Sequence, residues 1–295
     1  CRGLGTTILP KQASSVAAQF GRPLVLSEMF ACSGYGVDFE ELKWIAEWQF
    51  ALGVNLVCQS MSPYSLRGCR KRDHPPALHY QQPWWPHYYL LNDYFARLLS
   101  VLRQGEEVAD VLLLHPITSA WSEFSSLSRA PVKLLDKRLN ELANFILATH
   151  ANFHFGDELI LERHAKVSRG KLIVGKRSYR LVVIPDSINI RASTARLLKR
   201  FRASGGKIVF AGRVPERVDG KLQSRVKELA IKCLVVDLSK PAGRKRLRRM
   251  LDPTISITTA RGVDVEQVLS LWRSVGKEQV FFLFNTARDR SCSVN

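Results

Sequence analysis

The chain has 295 residues, of which 46% are hydrophobic, and it carries a formal net charge of +18. This length suggests about two domains, and this hydrophobic content excludes an intrinsically disordered chain. A strongly basic chain raises nucleic acid or an anionic surface as a partner, so the distribution of the charge matters. The basic residues are spread along the sequence, and the densest run lies at residues 244–249.

Six cysteines stand at positions 1, 32, 58, 69, 233 and 292, without a Cys-x-x-Cys pair and without histidines at zinc spacing. We therefore predict no metal site. Nucleotide-binding glycine motifs are absent as well, and no cofactor is predicted. The scatter of the cysteines favours free thiols, and so a reducing cytoplasmic compartment, over a disulfide framework. The sequence has no run of 18 apolar residues, so no membrane span is predicted.

The first predicted elements are a strand and a helix. An apolar run at residues 23–26 leads to Glu28, so this acid is expected at the carboxyl end of a strand. Apolar side chains then recur at helical spacing over residues 38–52, where Asp38 is a suitable N-cap and Gly53 ends the pattern.

A second strand and a second helix follow. The run at residues 53–57 opens into residues 59–85, a long stretch of aromatic, amide and charged side chains. A helix is predicted over residues 91–103, with Gly105 at its end. Strands that release polar residues at their carboxyl ends are typical of a (β/α) barrel active site. We therefore predict that residues 1–105 are the C-terminal part of a (β/α)8 barrel.

This interpretation implies an incomplete barrel. A whole barrel needs about 250 residues, whereas the chain begins at Cys1 and soon enters what would be a late barrel strand. We therefore expect the sequence to be a fragment of a larger protein.

The second predicted domain spans residues 106–250. Continuous apolar runs are typical of strands buried on both faces of a parallel sheet, and their alternation with helices predicts a doubly wound α/β domain. The strands are predicted at residues 108–116, 180–185 and 205–212, the helices at 132–149 and 193–204, and shorter apolar runs lie at 159–161 and 171–174. Residues 251–295 read as the start of a β-sandwich, with strands at 255–259 and 279–285.

Glu28 is the sharpest candidate for chemistry. A carboxylate at a barrel rim, walled by Met29 and Phe30, can have its pKa adjusted for nucleophilic or acid–base work. A lone acid at a strand end is also compatible with a structural ion pair, and the pattern alone leaves both interpretations open.

The polar stretch after the second strand contains the residue types that hold sugars. Aromatic faces cover the apolar side of a sugar ring, and amide or charged groups hydrogen-bond its hydroxyls. The candidate substrate-binding residues are Asn55, Gln59, Ser60, Tyr64, Arg67, His79, Trp84 and Trp85. The adjacent tryptophans are equally compatible with sugar contact and with packing, with one residue available for each role.

Several motifs carry a resemblance to a known family. They are Pro-Leu-Val-Leu-Ser-Glu ending at Glu28, Gly-Val-Asn ending at Asn55, Tyr-Ser-Leu-Arg-Gly from Tyr64, and Pro-Trp-Trp ending at Trp85. The chain resembles bacterial glycoside hydrolases related to the α-L-rhamnosidase family 106, closely over residues 11–121 and more loosely beyond.

This resemblance implies both a fold and an activity. It implies a (β/α) barrel, then a flavodoxin-like α/β domain like that of family 42 β-galactosidases, and then β-sandwich modules. The implied activity is hydrolysis of O-glycosidic bonds, with Glu28 as nucleophile or general base. The partner carboxylate would come from an earlier barrel strand.

One position departs from the pattern. Similar sequences commonly place a histidine five residues after the Gly-Val-Asn motif, and here that position is Ser60. Serine can donate a hydrogen bond to a hydroxyl, but it cannot carry a proton near neutral pH. The departure implies either a different substrate or lost activity.

Two other classes of function are weighed against the enzyme. One is a non-catalytic carbohydrate-binding remnant. The other is a basic nucleic-acid-binding module centred on residues 244–249, but ribonucleoprotein motifs and helix-turn-helix patterns are absent. We therefore predict a carbohydrate substrate, with no nucleic acid and no membrane as partners, and the oligomeric state stays open.

Overall fold

The computed structural model describes residues 7–60, 62–75 and 78–288. Its helices are α1 (Ile8–Phe20), α2 (Phe39–Ala51), α3 (Tyr88–Leu102), α4 (Ile117–Glu123), α5 (Ala130–Ala148), α6 (Glu158–His164), α7 (Ala192–Ala203), α8 (Arg225–Ile231) and α9 (Pro241–Leu251). The predicted helices at 38–52, 91–103, 132–149 and 193–204 are confirmed, with small shifts at their ends.

The strands are mostly short. They are β1 (Leu26–Met29), β2 (Leu56–Gln59), β3 (Glu106–Glu107), β4 (Val111–Leu114), β5 (Phe153–Gly156), β6 (Ala165–Ser168), β7 (Lys171–Val174), β8 (Arg177–Tyr179), β9 (Leu181–Pro185), β10 (Asn189–Ile190), β11 (Lys207–Ala211), β12 (Arg217–Val218), β13 (Lys221–Leu222), β14 (Leu234–Val236), β15 (Val268–Val275) and β16 (Glu278–Asn285). The chain divides into two compact units.

The first unit contains the described parts of residues 7–17, 22–107 and 267–288. Strands β1 and β2 pair in parallel and are connected by α2, which begins where the Asp38 side chain accepts a hydrogen bond from the Glu41 N–H at 2.8 Å. Apolar side chains of α2 and α3 pack against one face of this strand pair. The parallel strand, helix, strand arrangement predicted from the sequence is therefore present.

A three-stranded antiparallel sheet also belongs to the first unit, in the order β16, β15, β3. After α3 the chain turns at Gly105, which has a φ of +60°, and a Cβ there would lie 2.0 Å from the Ser274 carbonyl oxygen. Only glycine allows so close an approach of the two backbones. The predicted strand at 279–285 is confirmed in β16.

The predicted strand at 255–259 is wrong. Residues around it form a single antiparallel bridge, between Thr258 and Asp264, within the second unit. The alternating Ile-Ser-Ile-Thr-Thr pattern has no neighbouring strand to pair with over its length, and alternation alone does not make a ladder. The division into domains at residues 105 and 250 stays a prediction.

The second unit contains residues 18–21 and 108–266 and is built on a five-stranded parallel sheet in the order β14, β11, β9, β4, β5. All residues of β4 and β9 are buried, because helices cover both faces of the sheet. The run at 159–161 lies in α6, because the Asp157 side chain caps this helix by accepting from the Leu159 and Ile160 N–H groups. The structure is thus a mixed α/β fold with parallel sheets.

Two small sheets complete this unit, β6-β7-β8 and β10-β12-β13. The basic run at 244–249 lies on α9, whose buried positions are Gly243, Leu247 and Leu251. Within the run, Arg248 forms an ion pair with Asp264, Arg244 donates to the Leu238 carbonyl oxygen, and the other basic side chains face solvent. The run therefore has the pattern of a solvated helix face.

Candidate functional site

Glu28 lies on the open face of the β1–β2 pair. It is the third of four residues in β1 and stands opposite Cys58 in the parallel register. Side chains alternate between the faces of a strand, so Leu26 and Glu28 share one face, while Val25 and Met29 share the other. Val25 and Met29 are buried, whereas Leu26 and Glu28 are exposed. The carboxylate is therefore accessible to a ligand in this unit.

Asn55 lies just before β2 and hydrogen-bonds the main chain just before β1. Its Oδ1 accepts a hydrogen bond from the Val25 N–H at 2.8 Å, and its Nδ2 donates to the Pro23 carbonyl oxygen at 2.9 Å. Its own carbonyl oxygen accepts from Arg103 Nε at 2.8 Å. Both ends of the buried amide are thus taken by the main chain before β1. The geometry supports Asn55 as a residue that positions β1, and its contact with sugar stays a prediction.

Gln59 opens onto a groove at the carboxyl end of β2. Its Nε2 donates to Asn92 Oδ1 of α3 at 2.7 Å. The groove has a volume of about 580 Å³, and its other lining residues are Ser62, Leu78, Trp85, Pro86, Tyr88 and Tyr89. Such a combination of aromatic faces and amide groups is suited to a sugar ring.

Trp85 and Trp84 differ in their surroundings. Trp85 lines the groove and stacks on Tyr88, with ring centroids 5.6 Å apart and an interplanar angle of 18°. Trp84 packs between Phe39 and Tyr88, at centroid distances of 5.6 and 5.3 Å. The surroundings thus favour packing for Trp84 and ligand contact for Trp85. Burial raises the pKa of the Tyr88 hydroxyl, which therefore stays protonated as a hydrogen-bond donor.

The remaining candidate residues do not line the groove. Ser60 is buried, and its N–H donates to the Met29 carbonyl oxygen at 2.9 Å. His79 is buried against the Tyr80 ring, with centroids 4.1 Å apart. Tyr64 and Arg67 are exposed in the loop after β2. Their contact with substrate stays a prediction.

The candidate residues therefore fall on two faces. Gln59 pairs with Met29 in the parallel register, so it lies on the helix-covered face, opposite to Glu28. The sequence could not show this division, because both residues follow apolar runs.

The sequence-based predictions also missed Tyr88 and Asn92, which stand four residues apart and thus on one side of α3. A polar amide at that spacing within an apolar helix stripe is the signal that could have found them.

Other kinds of site receive no support from the described residues. Among them there is no group of three or more histidine, cysteine or acidic side chains that could hold a metal ion. Cys58, Cys69 and Cys233 are free thiols, and Cys32 Sγ lies 3.4 Å from His74 Nδ1. No described helix combines the length and the apolar character needed to cross a membrane.

Comparison with known families identifies the family of the chain. The model of glycoside hydrolase family 106, described as alpha-L-rhamnosidase, matches residues 8–290. The chain belongs to this family. The resemblance carried by the motifs around Glu28, Asn55 and Trp85 is thereby confirmed. No curated protein matched the chain.

Two solved structures resemble the chain in fold. A rhamnosidase from Novosphingobium sp. PP1Y aligns with a TM-score of 0.63 at 16% identity, over 94% of this chain and 27% of that one. An exo-carrageenase of family 42 from Bacteroides ovatus aligns with a TM-score of 0.50 at 13% identity, over 85% of this chain and 33% of that one. At these identities the likeness concerns the fold alone. The chain spans about a third or less of the length of these relatives.

Proposed function

We propose that the protein hydrolyses O-glycosidic bonds of α-L-rhamnosides and that Glu28 is one of its catalytic carboxylates. The observation that carries this proposal is the placement of Glu28 near the carboxyl end of a parallel strand, on the face that helices leave open. Catalytic groups of (β/α) barrels lie at this end of their strands. Membership of family 106 supports the substrate class.

The proposal includes a finer description of the fold. We interpret β1, α2, β2 and α3 as the C-terminal part of a (β/α)8 barrel. The strand order of the second unit is the flavodoxin order, in which the second strand along the chain lies outside the first. We therefore propose a flavodoxin-like domain, followed by a β-rich segment in which β15 and β16 begin a β-sandwich.

In the proposed mechanism Glu28 acts together with a second carboxylate on another barrel strand. If the two groups are about 5 Å apart, Glu28 attacks the anomeric carbon while the second carboxylic acid protonates the departing glycosidic oxygen, and the C–O bond to the leaving group breaks. Water, deprotonated by the second carboxylate, then hydrolyses the covalent glycosyl intermediate and releases Glu28. If the groups are about 6.5–9.5 Å apart, Glu28 instead removes a proton from the attacking water while the second carboxylic acid protonates the leaving oxygen. The exposed face around Glu28 leaves space for the substrate in either case. Ser60, being buried, is proposed to support β1 through its N–H group.

Substitution of Glu28 tests the proposal. In the full-length protein, Glu28→Gln is expected to lower turnover of p-nitrophenyl α-L-rhamnoside by about 100-fold or more, because a glutamine can neither attack nor accept a proton. Glu40→Gln is the matched control, since Glu40 is an exposed acid in the first turn of α2. Unchanged turnover in Glu28→Gln would remove Glu28 from the mechanism.

A second candidate function is sugar binding without catalysis. It is favoured by the groove around Gln59, Trp85 and Asn92, which lies on the face opposite to Glu28. Trp85→Ala is expected to weaken rhamnose binding and to leave turnover at saturating substrate unchanged. A mutant that loses turnover as severely as Glu28→Gln would instead assign the groove to the catalytic site.

Nucleic-acid binding is the least supported alternative. We propose no such role for α9, because Arg248 pairs with Asp264, the Arg244 guanidinium lies over the Phe145 ring, and the other basic side chains of the run lie on a solvated helix face. Salt-dependent binding of a random oligonucleotide would contradict this statement. A cytoplasmic location likewise stays a proposal.

A further inference from the structure

The parallel sheet of the second unit has a cavity at its carboxyl edge that the proposed glycosidase chemistry does not use. The cavity has a volume of about 760 Å³ and is lined by residues that follow β9, β11 and β14, together with side chains of α5 and α9. Ligands of open α/β sheets bind outside the carboxyl ends of the strands. We call this cavity the carboxyl-edge pocket.

A buried carboxylate organises the pocket. Asp186, which directly follows β9, has only 4% of its side chain exposed. It accepts hydrogen bonds from the Arg213 N–H at 2.8 Å, from Arg213 Nε at 2.9 Å and Nη2 at 3.1 Å, and from the Arg138 guanidinium. Gly212 permits this approach, since its φ is +125° and a Cβ there would lie 2.9 Å from Asp186 Cβ. The two guanidinium groups are therefore held in fixed orientations.

These guanidinium groups keep donors for a ligand. A guanidinium has five N–H donors, and within residues 7–60, 62–75 and 78–288 Asp186 is the acceptor found for both side chains. The side chains of Arg138 and Arg213 are 43% and 52% exposed. Their free N–H groups can thus reach a group that enters the pocket. Arginine in this arrangement recognises carboxylate and phosphate oxygens.

The charge balance of the pocket favours an anion. Asp186 is shared by two arginines, and each of the two acids near the rim lies close to a lysine, although Asp237 also acts on Arg138 at longer range. Glu141 lies 3.9 Å from Lys137, and Asp237 lies 3.9 Å from Lys240. A third guanidinium, that of Arg244, adds positive charge.

Arg244 also connects the polar and apolar walls. Its Nε donates to the Leu238 carbonyl oxygen at 2.8 Å, and its guanidinium lies over the Phe145 ring, 5.8 Å from the centroid. Val235 and Val236 extend the apolar wall. The pocket therefore offers three guanidinium groups beside a nonpolar surface, a combination typical of sites for small organic ligands.

We propose that the carboxyl-edge pocket binds a small organic oxyanion, a phosphate or carboxylate whose carbon skeleton rests against Phe145 and Val235. The anion is held by Arg138, Arg213 and Arg244. This site is separate from the open face of β1 and does not depend on the glycosidase proposal.

Titration calorimetry on the full-length protein tests this with sugars that differ in one group. Glucose 6-phosphate or glucuronate is expected to bind, with an affinity that falls as salt is added, and neutral glucose is expected to give no signal. Tighter binding of glucose 6-phosphate would identify phosphate as the natural group, and tighter binding of glucuronate would identify carboxylate. Equal binding of glucose, or binding of neither anion, would overturn the proposal.

Substitutions test the residues. Arg244→Gln is expected to weaken anion binding about tenfold, because it removes one charged hydrogen bond without uncovering Asp186. Arg246→Gln is the matched control, since Arg246 is an exposed arginine of α9 outside the pocket lining. Arg213→Lys keeps the charge but loses the planar donor geometry, and it should also weaken binding. An Arg244→Gln protein that binds the anion as tightly as the unsubstituted protein would contradict the assignment.

Discussion

The β1–β2 pair and the five-stranded sheet are both parallel, but they are covered very differently. In the sheet, each residue of β4 and β9 is buried, because helices pack on both faces. In the pair, Met29 is buried on one face while Leu26 on the other is 58% exposed. The difference teaches where chemistry is possible. A strand with one open face can present a carboxylate such as Glu28 to a ligand, whereas a sheet covered on both faces can offer only its edge.

The largest difference between the two regions is expected in the free energy of unfolding when a leucine in each is replaced by alanine. Leu112→Ala, in the centre of the buried sheet, should lower the free energy of unfolding by about 2–5 kcal/mol, because it leaves a cavity among packed side chains. Leu26→Ala should change it by less than about 0.5 kcal/mol, since its side chain is mostly in water. Urea unfolding followed by circular dichroism measures both. Equal losses would show that the open face is covered in solution.

A smaller effect concerns how the open pair is held in place. Asn55→Ala should cost about 1–3 kcal/mol, because it leaves the Val25 N–H and the Pro23 carbonyl oxygen without their partner. Asn55→Asp should recover part of this loss, since the carboxylate can accept from Val25 but cannot donate to Pro23. If Asn55 acts by positioning β1, turnover should fall in parallel with stability across these variants. A rise in KM at unchanged stability would point instead to direct contact with substrate.

The sequence predicted the three inner strands of the buried sheet, β4, β9 and β11, but not its two edge strands, β5 and β14. The runs at 180–185 and 205–212 contain continuous apolar stretches, at 181–185 and 208–211, and lie next to helical patterns, so both strands and their helices were found. Strand β5 was missed because its Phe-His-Phe-Gly sequence is too short and mixed to stand out, although its residues are buried. Strand β15 was missed because Ser270 and Arg273 interrupt its apolar pattern, yet both are buried through contacts that lie far apart in sequence.

The sequence singles out the residue types of the candidate site but cannot show their arrangement. Glu28 stands out because an acid after an apolar run is conspicuous, and its catalytic role stays a prediction. The surroundings of Asn55 and Trp84 could not be foreseen, because Asn55 hydrogen-bonds residues some thirty positions earlier and Trp84 packs against Phe39. Side chains of the same type can therefore bind a ligand or hold a turn, and only tertiary contacts separate the two.

The smallest effect is expected at the carboxyl edge of the buried sheet, where Asp186 is a charged residue beside apolar strands. Burial opposes the charged form of Asp186, but hydrogen bonds from Arg213 and Arg138 outweigh burial and lower its pKa below that of an unfolded aspartate, about 3.9. A lowered pKa stabilises the fold above about pH 4, and this contribution is lost as the pH falls through the folded-state pKa.

Asp186→Asn should therefore be less stable by about 1 kcal/mol at pH 7, since a neutral amide accepts more weakly. The stability curves of the two proteins should converge at acid pH. Asp93→Asn, at an exposed acid of α3, is the control and should change the stability little at either end of this pH range. Curves for Asp186→Asn and the unsubstituted protein that stay parallel between pH 7 and pH 3 would contradict the role given to the Arg138 and Arg213 contacts.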